Sequence, residues 1–169
     1  MVTQTRVVIV RHVSERSRAS NTGHILARAI PGCEMVDHGV AGEEVRFADA
    51  LDDSARVLFP GSEASDDLSG IRSIVVLDGS WSQVRKMRWR IPAIAAIRPL
   101  SLPPSPGAAM RLRRAPEPGH LATMEAVAAA LRLLGDATAA DELDACFLVM
   151  AQRMRALRGF DMPEKIRSR

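Results

Sequence analysis

The stretch Ser73-Ile74-Val75-Val76-Leu77-Asp78-Gly79-Ser80-Trp81 carries the clearest structural signal in this chain of 169 residues. Residues 73–77 form an apolar, β-branched run that predicts a buried strand, and Asp78-Gly79 predicts a turn directly after it. Ser80 and Gln83 then form the serine and glutamine pair of a capping box, which predicts a helix that begins at Ser80 and ends before Pro92. A strand that runs into a helix in this way is the building unit of an α/β sheet.

Other segments repeat this alternation along the chain. Strands are predicted over 6–11, 56–59 and 96–102, and Pro99 would confine the last of these to an edge or a bulge. Helical spacing predicts a helix that begins near Ile25 and stops at Pro31-Gly32, a further helix around 43–51, and two amphipathic helices after residue 121. Residues 103–118 are rich in proline and arginine and predict a long surface loop.

These elements predict an α/β fold with a largely parallel sheet flanked by helices, in a single domain over residues 1–169. In such sheets the ligand lies in the crevice at the carboxyl ends of the strands. The turns after Phe59, Leu77 and Leu102 are therefore expected to meet there.

Composition excludes several classes of protein. With 47% hydrophobic and 25% charged residues the chain is expected to fold, and its apolar runs are too short and too interrupted for a membrane span. No secretory signal is recognised, so the cytoplasm is the expected compartment. Cys33 and Cys146 stand far apart without a CxxC pair, and we expect each to be a buried small apolar residue.

The common catalytic and nucleotide-binding motifs are absent from the sequence. It contains no GxGxxG, GxxxxGK[ST], GxSxG or HExxH motif, and its four histidines lack paired ligand spacing. No metal site is expected.

Basic residues form two clusters whose function the sequence alone leaves open. Such clusters are suited to a polyanion such as RNA, and they are equally compatible with solvated helix and loop surface. The clusters are Arg85, Lys86, Arg88 and Arg90, and Arg111, Arg113 and Arg114.

Asp78-Gly79-Ser80-Trp81 is the best candidate for chemistry. It sets a carboxylate beside the free N–H groups of a helix N-terminus, where an anionic ligand group can bind, and it adds a tryptophan ring for stacking. The alternative is structural, with Asp78 and Ser80 capping the helix and Trp81 packed in the core.

Four ordered segments give this chain a family resemblance. Leu77-Asp78-Gly79-Ser80-Trp81, with Arg85-Lys86-Met87 after it, resembles the Asp-x-Thr-Trp signature of the DTW-domain family. Ser20-Asn21-Thr22-Gly23, Leu58-Phe59-Pro60-Gly61 and Leu121-Ala122-Thr123-Met124-Glu125-Ala126 resemble the same family in the same order. Ser80 replaces the usual threonine and keeps its hydroxyl. The cysteine-rich, zinc-binding segment that many members carry ahead of the first strand has no counterpart here, so the resemblance implies no metal.

The resemblance implies a SPOUT-like domain with a C-terminal backbone knot, which binds S-adenosylmethionine as co-substrate. The implied activity is that of a tRNA-uridine aminocarboxypropyltransferase, which moves the 3-amino-3-carboxypropyl group to N3 of a uridine. Two alternatives remain, namely a SPOUT-like RNA methyltransferase and a non-catalytic RNA-binding member of the fold. The implied partner is tRNA or another structured RNA, with no membrane and no obligate protein partner.

The resemblance also implies which candidate residues would act in catalysis, donor binding and RNA binding. Asp78 would act as general base or orient the base edge, with Ser80 and Trp81 beside it. The residues expected to bind the donor are Phe59, Pro60, Gly61, Leu77, Gly79, Leu100, Ser101, Leu102, Leu121, Ala122 and Thr123. The residues expected to contact RNA are Asn21, Arg11, Arg16, Arg18, Arg85, Lys86 and Arg88.

Overall fold

Five parallel strands form one sheet in the part of the chain that the structure, a computed structural model, describes: residues 2–18, 21–60, 68–103 and 121–157. The strands are β1 (Arg6–His12), β2 (Glu34–His38), β3 (Ala55–Leu58), β4 (Ser73–Asp78) and β5 (Pro99–Leu100). The α-helices are α1 (Thr22–Ala29), α2 (Trp81–Arg90), α3 (Pro92–Ala95), α4 (Thr123–Leu133) and α5 (Ala137–Leu157), and Val13–Glu15 forms a 3₁₀ turn. The predicted α/β class, a parallel sheet flanked by helices, is confirmed.

β4 is central in the sheet, whose strand order is β2-β1-β4-β3-β5. All six of its residues are buried, in accord with its apolar, β-branched sequence. Because β1 and β3 pair with β4 on its two sides, the turn that follows Asp78 lies in the middle of the sheet's carboxyl edge.

Side chains alternate between two cores along the strands. Val7 and Ile9 face a core that includes residues of α1, α4 and α5, whereas Val8 and Val10 face a second core that includes residues of α2 and α3. Two layers of helices therefore cover the sheet. Cys33 and Cys146 are half-buried and pack against the first core.

The carboxyl ends of β1 and β4 form a topological switch point. The chain leaves β1 toward α1 on one face of the sheet and leaves β4 toward α2 on the opposite face. Because these connections diverge, the two strand ends mark the position at which open α/β sheets bind ligands.

Several predicted elements need correction. Residues 43–51 form no helix, and instead Val45, Phe47 and Leu51 pack against the second core as irregular chain. β2 was not predicted, and β5 pairs only over Pro99–Leu100, whereas a strand was expected over 96–102. Pro99 lies on an edge strand as expected, since its missing N–H would break a central ladder.

The described helices include none with the length and apolar character that crossing a membrane requires. The predicted loop over 103–118 lies outside the described residues except for Pro103. The backbone knot stays a prediction, because the chain that leads into α4 lies outside them too.

Candidate active site

Asp78 lies at the switch point. It is the last residue of β4, stands opposite Arg11 of β1, and is only 4% exposed. A carboxylate buried to this degree needs hydrogen-bond donors around it.

Two side chains from distant segments supply those donors. Asn21 Nδ2 donates to Asp78 Oδ2 over 2.5 Å, and Thr123 Oγ1 donates to Asp78 Oδ1 over 2.7 Å. We call Asn21, Asp78 and Thr123 the Asp78 cluster. It joins three of the four segments on which the family resemblance rests.

The N-terminus of α1 is built around the same cluster. Asn21 caps the helix, because its Oδ1 accepts from the backbone N–H of His24 over 2.8 Å. Thr22 Oγ1 accepts from the N–H of Met124, which ties α1 to the first turn of α4. Asn21 was expected to contact RNA, and the structure shows its side chain engaged both as a helix cap and with Asp78.

Glycine is required at position 23 by this close packing. A Cβ on Gly23 would lie 2.7 Å from Asp78 Oδ2, a distance that real Cβ atoms essentially never show. Only a residue without a side chain lets α1 approach the carboxylate this closely.

A second polar group lies beside the first at the carboxyl end of β1. Gln83 Nε2 donates to Ser14 Oγ over 2.9 Å and lies 3.2 Å from His12 Nδ1, while Gln83 Oε1 accepts from the N–H of Ser80. The last contact is one half of the predicted capping box. Sequence reasoning assigned no role to His12, whose only sequence signal is its position at the end of a strand.

The predicted catalytic residues differ in exposure. Asp78 is buried, Trp81 is half-buried at the start of α2, and Ser80 is exposed. The Ser80 hydroxyl is therefore accessible at the N-terminus of α2.

Residues predicted to bind the donor lie along the same edge of the sheet. Phe59 donates its N–H to the carbonyl of Leu100, so the chain segments after β3 and β5 are adjacent. The side chains of Leu77 and Leu100 are buried in the two cores. Ser101, Leu102, Leu121 and Ala122 are half-buried, Pro60 is exposed, and Gly61 lies outside the described residues, as does Ser20.

Arginines near β1 are engaged in ion pairs. Arg11 donates from Nε and Nη2 to the two carboxylate oxygens of Asp37, and Arg16 donates to Asp37 as well. These hydrogen bonds, that from Arg11 above all, outweigh partial burial and lower the pKa of Asp37. Arg18 pairs with the buried Glu15 over 3.2 Å. Arg16 and Arg18 stay about half exposed, whereas Arg11 is 12% exposed.

Arg85, Lys86 and Arg88 do not form one surface. Arg85 and Lys86 are exposed on α2, but Arg88 is 4% exposed and donates to the carbonyls of Ile94 and Ile97. Because its guanidinium is bound to the backbone after α2, Arg88 is unavailable for the phosphate contact expected of it. The cluster of Arg111, Arg113 and Arg114 lies outside the described residues.

The potential metal ligands in the described part of the chain do not form a cluster. Across residues 2–18, 21–60, 68–103 and 121–157, no three His, Cys, Asp or Glu side chains come together in a group that could hold a metal ion.

Comparison with known proteins supports the family resemblance that the four segments carry. The family model described as the DTW domain matches residues 1–155. A curated mouse (Mus musculus) protein, tRNA-uridine aminocarboxypropyltransferase 2, is 28% identical over 142 residues, which cover 77% of this chain and 48% of the mouse protein. The chain thus spans about half the length of the curated relative it matches. No solved structure matches significantly. Since the family model covers nearly the whole described fold, including every member of the Asp78 cluster, the chain belongs to the DTW domain family.

Proposed function

We propose that this chain, as one domain over residues 1–169, is an S-adenosylmethionine-dependent tRNA-uridine aminocarboxypropyltransferase. The observation that carries the proposal is the Asp78 cluster, a buried carboxylate at the switch point of the sheet, oriented by Asn21 and Thr123. Family membership supports the same activity, as does the name of the mouse relative. The cytoplasm is the compartment we propose for it.

The acceptor chemistry requires a base near uridine N3. This nitrogen carries a proton and becomes a good nucleophile only when the proton leaves. Asn21 and Thr123 each donate one hydrogen bond to the carboxylate of Asp78 and so hold its orientation. In the proposed reaction this oriented carboxylate accepts the N3 proton.

The described residues fit the donor at the same edge. S-adenosylmethionine would supply a γ-carbon activated by its sulfonium, so that the bond from N3 forms as the carbon–sulfur bond breaks and methylthioadenosine leaves. The exposed Ser80 hydroxyl and the N-terminus of α2 suit the carboxylate of the methionine moiety. The adjacent chain segments that follow β3 and β5 lie beside buried apolar side chains, which suits an adenosine.

The RNA would be held by the exposed cations near this edge. Arg16, Arg18, Arg85 and Lys86 remain exposed enough to reach phosphates, and such contacts position RNA without reading its sequence. Arg11 would act through Arg16, because both bind the same carboxylate of Asp37.

The test uses two labelled forms of the donor with unfractionated tRNA. Label in the methionine carboxyl group should enter tRNA, and label in the sulfonium methyl group should not. The reverse result would support an RNA methyltransferase. Absence of both labels, together with tRNA binding, would support a non-catalytic RNA-binding protein.

Asp78→Asn tests the base directly. Its amide can still accept from one member of the cluster and donate to the Thr123 hydroxyl, but it cannot take the N3 proton. We expect transfer to fall by about 10²- to 10⁴-fold with donor affinity little changed. Asp136→Asn is the matched control, since Asp136 likewise accepts two side-chain hydrogen bonds, from the hydroxyls of Thr3 and Thr5, but lies just before α5 and outside the Asp78 cluster. Near-normal transfer by Asp78→Asn would refute the role as base.

A further inference from the structure

Trp89 is a large apolar side chain left at the surface. It lies in the last turn of α2 and is 64% exposed. Most of the indole therefore stays in contact with water, and none of the roles described above involves Trp89.

The indole is nonetheless held in place. The guanidinium carbon of Arg88 lies 4.6 Å from the ring centroid, and Arg88 is itself fixed by its bonds to the carbonyls of Ile94 and Ile97. Phe59 meets the ring in an edge arrangement, with centroids 6.4 Å apart and planes at 75°. A ring oriented in advance loses little rotamer freedom when a ligand binds.

The surroundings of Trp89 are positively charged. Arg85 and Lys86 are exposed and lie four and three residues before Trp89, on the same side of the helix. Arg90 is exposed beside them, four residues after Lys86, and α2 contains no acidic residue. Within the described part of the chain, none of these three cations forms an ion pair. We call Arg85, Lys86, Trp89 and Arg90 the α2 outer surface.

This surface adjoins the candidate active site through Phe59. Val57 of β3 pairs with Val75 of β4, so Phe59 comes level with Leu77, one residue before Asp78. Because Trp89 contacts Phe59, it lies beside the carboxyl edge of the sheet, where the candidate active site lies.

We propose that Trp89 stacks on an unpaired base of the RNA substrate while Arg85, Lys86 and Arg90 contact the flanking phosphates. An aromatic face among cations is the chemistry that proteins use for single-stranded nucleic acid, whose bases are free to stack. A second copy of the chain is disfavoured as occupant, because its own α2 outer surface carries the same positive charge. This inference rests on the proposed function, which supplies the RNA.

Binding of fluorescently labelled, unfractionated tRNA at several salt concentrations tests the proposal. Trp89→Ala should weaken binding by about 5- to 150-fold, as loss of one base stack does, and Trp89→Phe should restore most of it. The salt slope should stay unchanged in both, since indole carries no charge. Arg85→Gln with Lys86→Gln should instead lower the log-log slope by about 1.4 to 1.8 for two phosphate contacts.

The outcomes separate this inference from the proposed function. Equal tRNA binding by the wild-type protein and Trp89→Ala would overturn the stacking role and leave the proposed function standing. Wild-type protein that binds no tRNA would overturn both. A dimer by sedimentation that Trp89→Ala converts to monomer, with tRNA binding unchanged, would assign the surface to a second copy instead. Thermal melting of each variant checks that the fold is intact.

Discussion

Thr123→Val would remove one hydroxyl from the Asp78 cluster and keep the branched shape of the side chain. The lost interaction is the 2.7 Å hydrogen bond from Thr123 Oγ1 to Asp78 Oδ1. Because Asp78 is 4% exposed, water has poor access to the oxygen left behind. We expect a folded protein of lower stability.

The size of the effect follows from the charge and the burial of the acceptor. A hydrogen bond to a charged group contributes about 1.5 to 3 kcal/mol to stability. Thr123 is half-buried, so partial access of water favours the lower part of that range, about 1.5 to 2 kcal/mol. For a chain of this size the melting temperature should fall by roughly 3 to 8 °C.

Urea unfolding followed by circular dichroism measures the change, with Thr123→Ser as the matched control that keeps the hydroxyl. In an Asp78→Asn background the same substitution should cost only about 0.5 to 1.5 kcal/mol, since the hydrogen bond there joins two neutral groups. Equal stability of Thr123→Val and wild type, or an equal cost in both backgrounds, would refute the reasoning.

Two other variants test packing and charge. Gly23→Ala puts a Cβ 2.7 Å from Asp78 Oδ2. Although alanine ordinarily favours a helix, we expect the free energy of unfolding, measured by thermal melting, to fall by about 1 to 3 kcal/mol and transfer to be lost. A more stable, fully active variant would contradict the geometry. Asp37→Asn tests the lowered pKa of Asp37, which the hydrogen bond from Arg11 causes above all. A carboxyl whose folded pKa lies below its unfolded value, about 3.9, stabilises the fold above that pH. This stabilisation is lost as the pH falls through the folded pKa. The stability gap between wild type and Asp37→Asn should therefore shrink in acid, and a gap independent of pH would argue against it.

The elements predicted correctly carry local signals. The run of β4, the turn after it and the start of α2 are each specified by neighbouring residues, and the N–H of Ser80 donates to Gln83 Oε1 as a capping box requires. Pro99 likewise indicates its edge position by lacking a donor.

β2 carries no such signal, because it is stabilised across the sheet. Its residues are half-buried and include two acids that pair with arginines of β1, Glu34 with Arg6 and Asp37 with Arg11. Charged residues in a strand look like surface loop when read along the chain, and only the neighbouring strand explains them.

The sequence singled out the residues of the candidate site one by one, but it did not predict their mutual contacts. Asp78, Asn21 and Thr123 were each expected to be functional, but in three separate roles. Their hydrogen bonds join residues 57 and 45 positions apart, and no periodicity reports a pairing over such distances. Arg88 is the opposite case, a residue expected at the surface that is buried. Nothing in the sequence distinguishes it from the exposed Arg85 and Arg90, and only the fold reveals its burial.

The assembly of the Asp78 cluster also bears on how the protein is made. Thr22 and Met124 are bonded across 102 positions, so α4 must dock before the carboxylate has both its donors. A nascent chain still attached to the ribosome short of residue 123 lacks Thr123 and so holds an incomplete site. The enzyme we propose acquires its function only when α4 has been synthesised and has docked against α1 and the end of β4.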